Sequence, residues 1–167
     1  AAGGTVAGRI IAALADKDRY ARAGASERAP LFVEAATQAL AENAPVPSLA
    51  EGSAASAFVA ADREGQVVAC AVTPHQPFGT GRVAPGTGIL AAAVPAAGAR
   101  GPAALAAMIV DDRRRDGAIF AAAASGGAAA ATAMAEVAAR TLFQGQMLED
   151  ALAAARLHPA GPGGPVH

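Results

Sequence analysis

The stretch GSAASAFVAADREGQVVACAVTPHQPFGTGRVAPGTG, Gly52 to Gly88, decides how this chain is read. Its first half has the pattern of a β-hairpin. Ala57 to Asp62 is a short apolar run, Arg63-Glu64-Gly65 supplies a turn with glycine where a positive φ is needed, and Gln66 to Val72 is rich in valine. The second half is punctuated by glycine, as Phe78-Gly79-Thr80-Gly81 and then Pro85-Gly86-Thr87-Gly88, before the apolar Ile89-Leu90. That order predicts a loop that re-enters a strand over Gly88 to Val94.

Working outward, the N-terminal side predicts a helix from about Thr5 to Leu14, with Thr5 as N-cap and Ile10, Ile11 and Leu14 on one face. A second helix is expected over Pro30 to Asn43, with Pro30 in its first turn. Ala44 to Ser53 reads as a Pro-containing linker. Downstream, Pro95 to Pro102 is a Gly/Ala/Pro loop, and a second hairpin follows: Ala104 to Asp112 out, Arg113 to Gly117 as the turn, Ala118 to Ala124 back. Ala128 to Leu142 is an Ala-rich helix with Met134, Val137 and Leu142 on its apolar side. Gln144-Gly145 breaks it, Met147 to Leu157 is a last helix, and the Pro/Gly-rich tail from Pro159 to His167 is expected to be mobile.

Composition narrows the function. The 167 residues are 53% hydrophobic but only 4% aromatic, with no Trp, so the core must be built from Ala, Val, Leu and Ile. Each such residue stabilises little, and a partner is expected to cover part of the surface. A net charge of −1 argues against nucleic acid, which needs clustered Lys and Arg. The basic run Arg113-Arg114-Arg115 lies between Asp112 and Asp116 and reads as a solvated hairpin tip; Asp111-Asp112 flank the same turn. Ala121 to Val137 is too weakly hydrophobic for a membrane span. No signal peptide is read, and the start at Ala1 suggests a processed or trimmed product; the cytoplasm is slightly favoured. The single Cys70 is expected to be a small buried hydrophobe. His75, His158 and His167 lack metal-ligand spacing, and the Gly79-x-Gly81 and Gly86-x-Gly88 loops lack a P-loop lysine, so no metal or cofactor is expected.

The order of features from Gly52 to about Leu157 resembles the small subunit of the gamma-glutamyltransferases, members of the N-terminal nucleophile (Ntn) hydrolases. In that family a nucleophilic Thr opens a strand, followed by an acidic-Gly turn, a second strand, an F-G-[ST]-G loop and a P-G-x-G-I-L segment. Ile109-Val110-Asp111-Asp112 with Asp116-Gly117 resembles the family's T-I-V strand and D-G turn. Ser125-Gly126-Gly127 resembles its S-P-G-G, and Ala151 to Leu157 its E-A-x-x-A-P-R segment. Gly3-Gly4 and Phe32-Val33-Glu34-Ala35-Ala36 resemble pieces from the end of the family's large subunit, with Ala1 and Ala2 replacing serines.

The resemblance also implies a loss. Counted back from Gly65, the family's nucleophile falls on Ala55, which has no oxygen to attack an amide carbonyl. Ser56 is the alternative nucleophile, but a shift of one residue along a strand points its side chain to the other face. His75 stands at a family asparagine, Ala91 to Ala97 at the polar run that holds the substrate's α-amino group, and Ala103 and Ala104 at paired serines. Only Gly126 and Gly127 remain, at positions whose N–H groups form an oxyanion hole in the family.

The reading is an α/β (α+β) protein of Ntn-hydrolase type, antiparallel sheets sandwiched between helices and incomplete without a partner. It forms one domain over residues 1–158, with a helical part at 1–43, a linker at 44–53 and a small-subunit-like part at 54–158, followed by a flexible tail at 159–167. The expected role is a catalytically inactive structural or interaction subunit, docked to another protein chain or to itself. The alternative is an active gamma-glutamyl amidohydrolase or transferase using Ser56 or a partner's residues; a weaker one is a binder of small apolar ligands.

Overall fold

The computed structural model describes residues 2–42, 55–94, 105–112, 114, 117–127, 129–160 and 164–167. The linker expected at 44–53, the Ala103 and Ala104 positions and most of the Arg113–Arg115 tip lie outside them. The chain is mixed α+β. In order it runs α1 (Ala2–Ala15), a 3₁₀ turn (Asp16–Asp18), α2 (Arg19–Arg22), α3 (Ala25–Glu42), β1 (Ser56–Ala61), β2 (Val67–Val72), β3 (Ala106–Asp112), β4 (Gly117–Ala124), α4 (Ala130–Gln144) and α5 (Leu148–Ala153).

The strands form two antiparallel two-stranded sheets, β1–β2 and β3–β4. Both expected hairpins are present. In the first, Ser56 pairs with Val72 and Ala61 with Val67, and Gly65 takes the required positive φ of 84°. In the second, Ala106 pairs with Ala124 and Asp112 with Gly117, with a bulge at Val110/Asp111. Helices α1 and α4 lie on β3–β4, α3 packs on α1, and β1–β2 lies against β3–β4. The described elements thus stack as helices, inner hairpin, outer hairpin.

The core sits in the helical half. Val6, Ile10 and Leu14, each four residues apart on α1, meet Phe32 and Ala36 of α3, Met134 and Ala135 of α4, and Ala106 of β3. Phe32 is 1% exposed, a burial that stabilises by about 2 kcal/mol. Small residues let the backbones approach closely. A Cβ on Gly3 would stand 2.5 Å from the Leu105 carbonyl oxygen, and one on Gly4 2.8 Å from that of Ala107. This contact explains why α1 begins at Ala2 and not at Thr5, which lies inside the helix rather than capping it. The Gly-Gly pair is helix, pressed onto β3.

Three further expectations are corrected. The second helix starts at Ala25, five residues before Pro30. Gly24 N–H donates to Glu27 Oε2 at 2.9 Å, the reach-back of a capping box, and this sets the start. Gly88 to Val94 is no strand: one bridge, Val83 to Leu90, closes a loop whose hydrogen bonds are internal, including Thr80 N–H to Ala91 O at 2.9 Å and Ala91 N–H to Arg82 O at 2.8 Å. The last helix ends at Ala153, because the following backbone bonds to α4 side chains instead. Arg140 Nη2 donates to Ala155 O at 3.0 Å, and Leu157 N–H donates to Glu136 Oε2 at 2.7 Å. Gly145 does end α4, in the left-handed conformation with φ 65°. In the tail, Pro159 bridges Val166, while His158 and His167 exchange backbone hydrogen bonds at 2.8 and 2.9 Å.

Candidate functional site

Of the residues singled out from the sequence, Ala55 and Ser56 sit at the start of the outer hairpin. Ala55 precedes β1 and is exposed; Ser56 opens the strand and is exposed too. Strand alternation places Ser56 on one face with Phe58 and, across the pair, with Val68 and Val72. Those three apolar side chains are 52%, 57% and 48% exposed. Ala57 and Val67, both half-buried, lie on the opposite face. Among the described residues no hydrogen bond joins the Ser56 hydroxyl to any base.

Gly126 and Gly127 follow β4 with φ of 123° and 99°, a geometry that favours glycine. They end the strand that β1 lies against, but no hydrogen bond links them to Ala55 or Ser56. Of the run Ala91 to Ala97, residues 91–94 are described and offer no polar side chain. His75 has a buried Nδ1 without a partner and lies in the loop after β2. Cys70 is half-buried rather than buried, because no described element fully covers its face of β2. Among the described residues no group of three or more His, Cys, Asp or Glu could hold a metal ion. No described helix is long and apolar enough to cross a membrane.

A different set of polar residues is brought together on the helical side. On α4 the residues Thr132, Glu136, Arg140 and Gln144 recur every fourth position, so they form one stripe along the helix. Thr132 is fully buried and Glu136 is 3% exposed. Every member of the stripe has a partner. The Thr132 hydroxyl donates to Ala129 O at 3.0 Å, which leaves its oxygen to accept from His158 Nδ1 at 2.9 Å. Glu136 accepts from Arg140 Nη2 at 2.8 Å and, through its other oxygen, from Leu157 N–H. Gln144 Nε2 donates to the Tyr20 hydroxyl at 3.0 Å, while its Oε1 faces Arg28 Nη1 at 3.4 Å.

The stripe therefore binds residues 155–158 and Tyr20 to α4. A hydroxyl beside an imidazole has the composition of a nucleophile and its base, yet Thr132 is closed to any substrate; this pair holds the chain together. Burial pushes the His158 imidazole below its ordinary value, and the nearby His167 adds to the effect. Burial likewise pushes the Tyr20 phenol up, against the hydrogen bond from Gln144. Next to the stripe lies a cavity of about 210 Å³ between Tyr20, Arg28, Phe32, Glu136, Arg140 and Gln144.

The sequence held a signal for this stripe that motif reading passes over. In the Ala-rich run 130–144, the residues Thr132, Glu136, Arg140 and Gln144 fall at i, i+4, i+8 and i+12, and Thr141 is the one other polar side chain. Compared with known proteins, the chain matches no family model, and no curated protein matches it.

Proposed function

We propose that this chain is a non-catalytic, gamma-glutamyltransferase-like protein that serves as a structural or interaction subunit, docking to another polypeptide or to a second copy of itself. The observation that carries this reading is the outer face of β1–β2. Phe58, Val68 and Val72 are about half exposed there, and neither strand contributes a buried residue. An apolar sheet face with two open edges is the kind of surface that another chain covers. In an Ntn-hydrolase framework two sheets are enclosed by helices on both sides. The order of helices, inner hairpin and outer hairpin fits that framework with its second helical layer left to a partner.

The chemistry of the nucleophile position supports the absence of catalysis. Ala55 carries a methyl group, and Ser56 lies on the face of Phe58 with no base bonded to it among the described residues. The reading predicts no turnover of a γ-glutamyl anilide by the purified chain above the uncatalysed rate. Turnover that persists through purification and vanishes in Ser56→Ala would overturn it.

A further inference from the structure

We infer that the cavity between Tyr20, Arg28 and the α4 stripe binds a short-chain aliphatic carboxylate. The hydrogen-bonding capacity left open around it belongs to donors. Both oxygens of Glu136 are engaged, and Gln144 Oε1 faces Arg28. By contrast, Arg28 Nε is buried with no partner among the described residues. The Tyr20 hydroxyl, on a side chain 4% exposed, accepts from Gln144 and retains its own proton to donate.

Charge points the same way. Two guanidiniums, Arg28 and Arg140, line the cavity against one carboxylate, Glu136, leaving one positive charge uncompensated among the described residues. A partly desolvated cation without a counter-ion is unfavourable, and a bound monoanion removes the cost. A planar carboxylate matches the guanidinium fork. Phe32, Ala29 and Leu157 supply an apolar wall, and the roughly 210 Å³ of space exceeds what a carboxylate group alone would fill. A short alkyl tail completes the fit. A phosphate dianion fits less well, since its second charge has no partner and its oxygens would meet the apolar wall.

The test uses the intact chain. Tyr20 is the only tyrosine and there is no Trp, so near-ultraviolet absorbance and fluorescence report on this cavity directly. Titration with sodium butyrate at constant ionic strength, balanced with sodium chloride, is expected to perturb the Tyr20 signal saturably with one site per chain. Butyramide, the neutral isostere, should give no saturable change, and inorganic phosphate should bind at least about tenfold more weakly. Arg28→Gln should raise the butyrate Kd by about tenfold, and Arg28→Lys, which keeps the charge and loses the fork, by a smaller factor. Circular dichroism checks that each variant is folded; should Arg28→Gln unfold, Arg28→Lys decides. Butyramide or phosphate binding as well as butyrate, no saturation with butyrate, or Arg28 variants that bind butyrate like the parent would overturn the assignment.

Discussion

The helical half and the β1–β2 hairpin both mix alanine with larger apolar residues, yet end in opposite states. In the helical half, Ala35, Ala36, Ala39, Ala135 and Ala139 are buried because three helices and β3 close on one another. In the outer hairpin, larger side chains such as Phe58 and Val68 stay half exposed because no described element packs over them. Residue type does not decide burial here; the number of covering layers does. The polar groups follow the same division. Thr132, Glu136 and Gln144 of α4 find partners in the helical half, though Thr141 Oγ1 is buried without one among the described residues. The exposed Ser56 on the hairpin has no hydrogen-bonded side-chain partner among the described residues.

The sharpest way to break the comparison is to remove a polar anchor of the closed half. Glu136→Ala leaves the Arg140 guanidinium and the Leu157 N–H without their acceptor at a site 3% exposed. It should destabilise the chain by about 3 kcal/mol, read as a lowered midpoint in urea unfolding. A midpoint within error of the parent would show that the stripe contributes no stability.

A smaller effect comes from the α1–β3 contact. Gly3→Ala places a methyl 2.5 Å from the Leu105 carbonyl oxygen and should cost about 2 kcal/mol. Gly8→Ala lies on the same helix with nothing within 4 Å of the new methyl, and should stabilise by about 0.8 kcal/mol. Opposite signs in thermal unfolding are the expected result; equal signs would mean that α1 does not press on β3 through its first turn.

The smallest effects are those of pH. The His158 imidazole is held below its ordinary 6.5, so its contribution to stability is present above that pH and is lost on acidification below it. The Tyr20 phenol is held above its ordinary 10.0, so its contribution is present below that pH and is lost as the pH rises beyond it. The thermal midpoint should therefore sag on the acid side in the parent and less so in His158→Gln. A tyrosinate absorbance that titrates at or below 10.0 would contradict the burial of Tyr20.

Local chemistry was legible in the sequence, and tertiary chemistry was not. Both hairpins could be read because their turns are encoded locally, by Gly65 in the first and Asp112 with Gly117 in the second. The end of α4 could be read from Gly145 for the same reason. The start of α1 could not, because Gly3 and Gly4 serve a contact with Leu105 and Ala107, about a hundred residues away. The end of α5 was hidden likewise, since it depends on Arg140 and Glu136 capturing the backbone at Ala155 and Leu157. Ser56 opens β1, but its want of a hydrogen-bonded base among the described residues could not be seen in the sequence. The cavity beside Arg28 and Tyr20 was not legible, because these residues carry no motif and meet α4 only in the folded chain.

Native mass spectrometry on this chain, with and without the double substitution Phe58→Ser and Val68→Ser, tests the interaction-subunit reading most directly. The expected result is a 16.2 kDa chain held in a larger assembly that dissociates in the double variant, while the variant keeps its helical circular dichroism. A parent chain that is monomeric in its source, or an assembly indifferent to both substitutions, would contradict it.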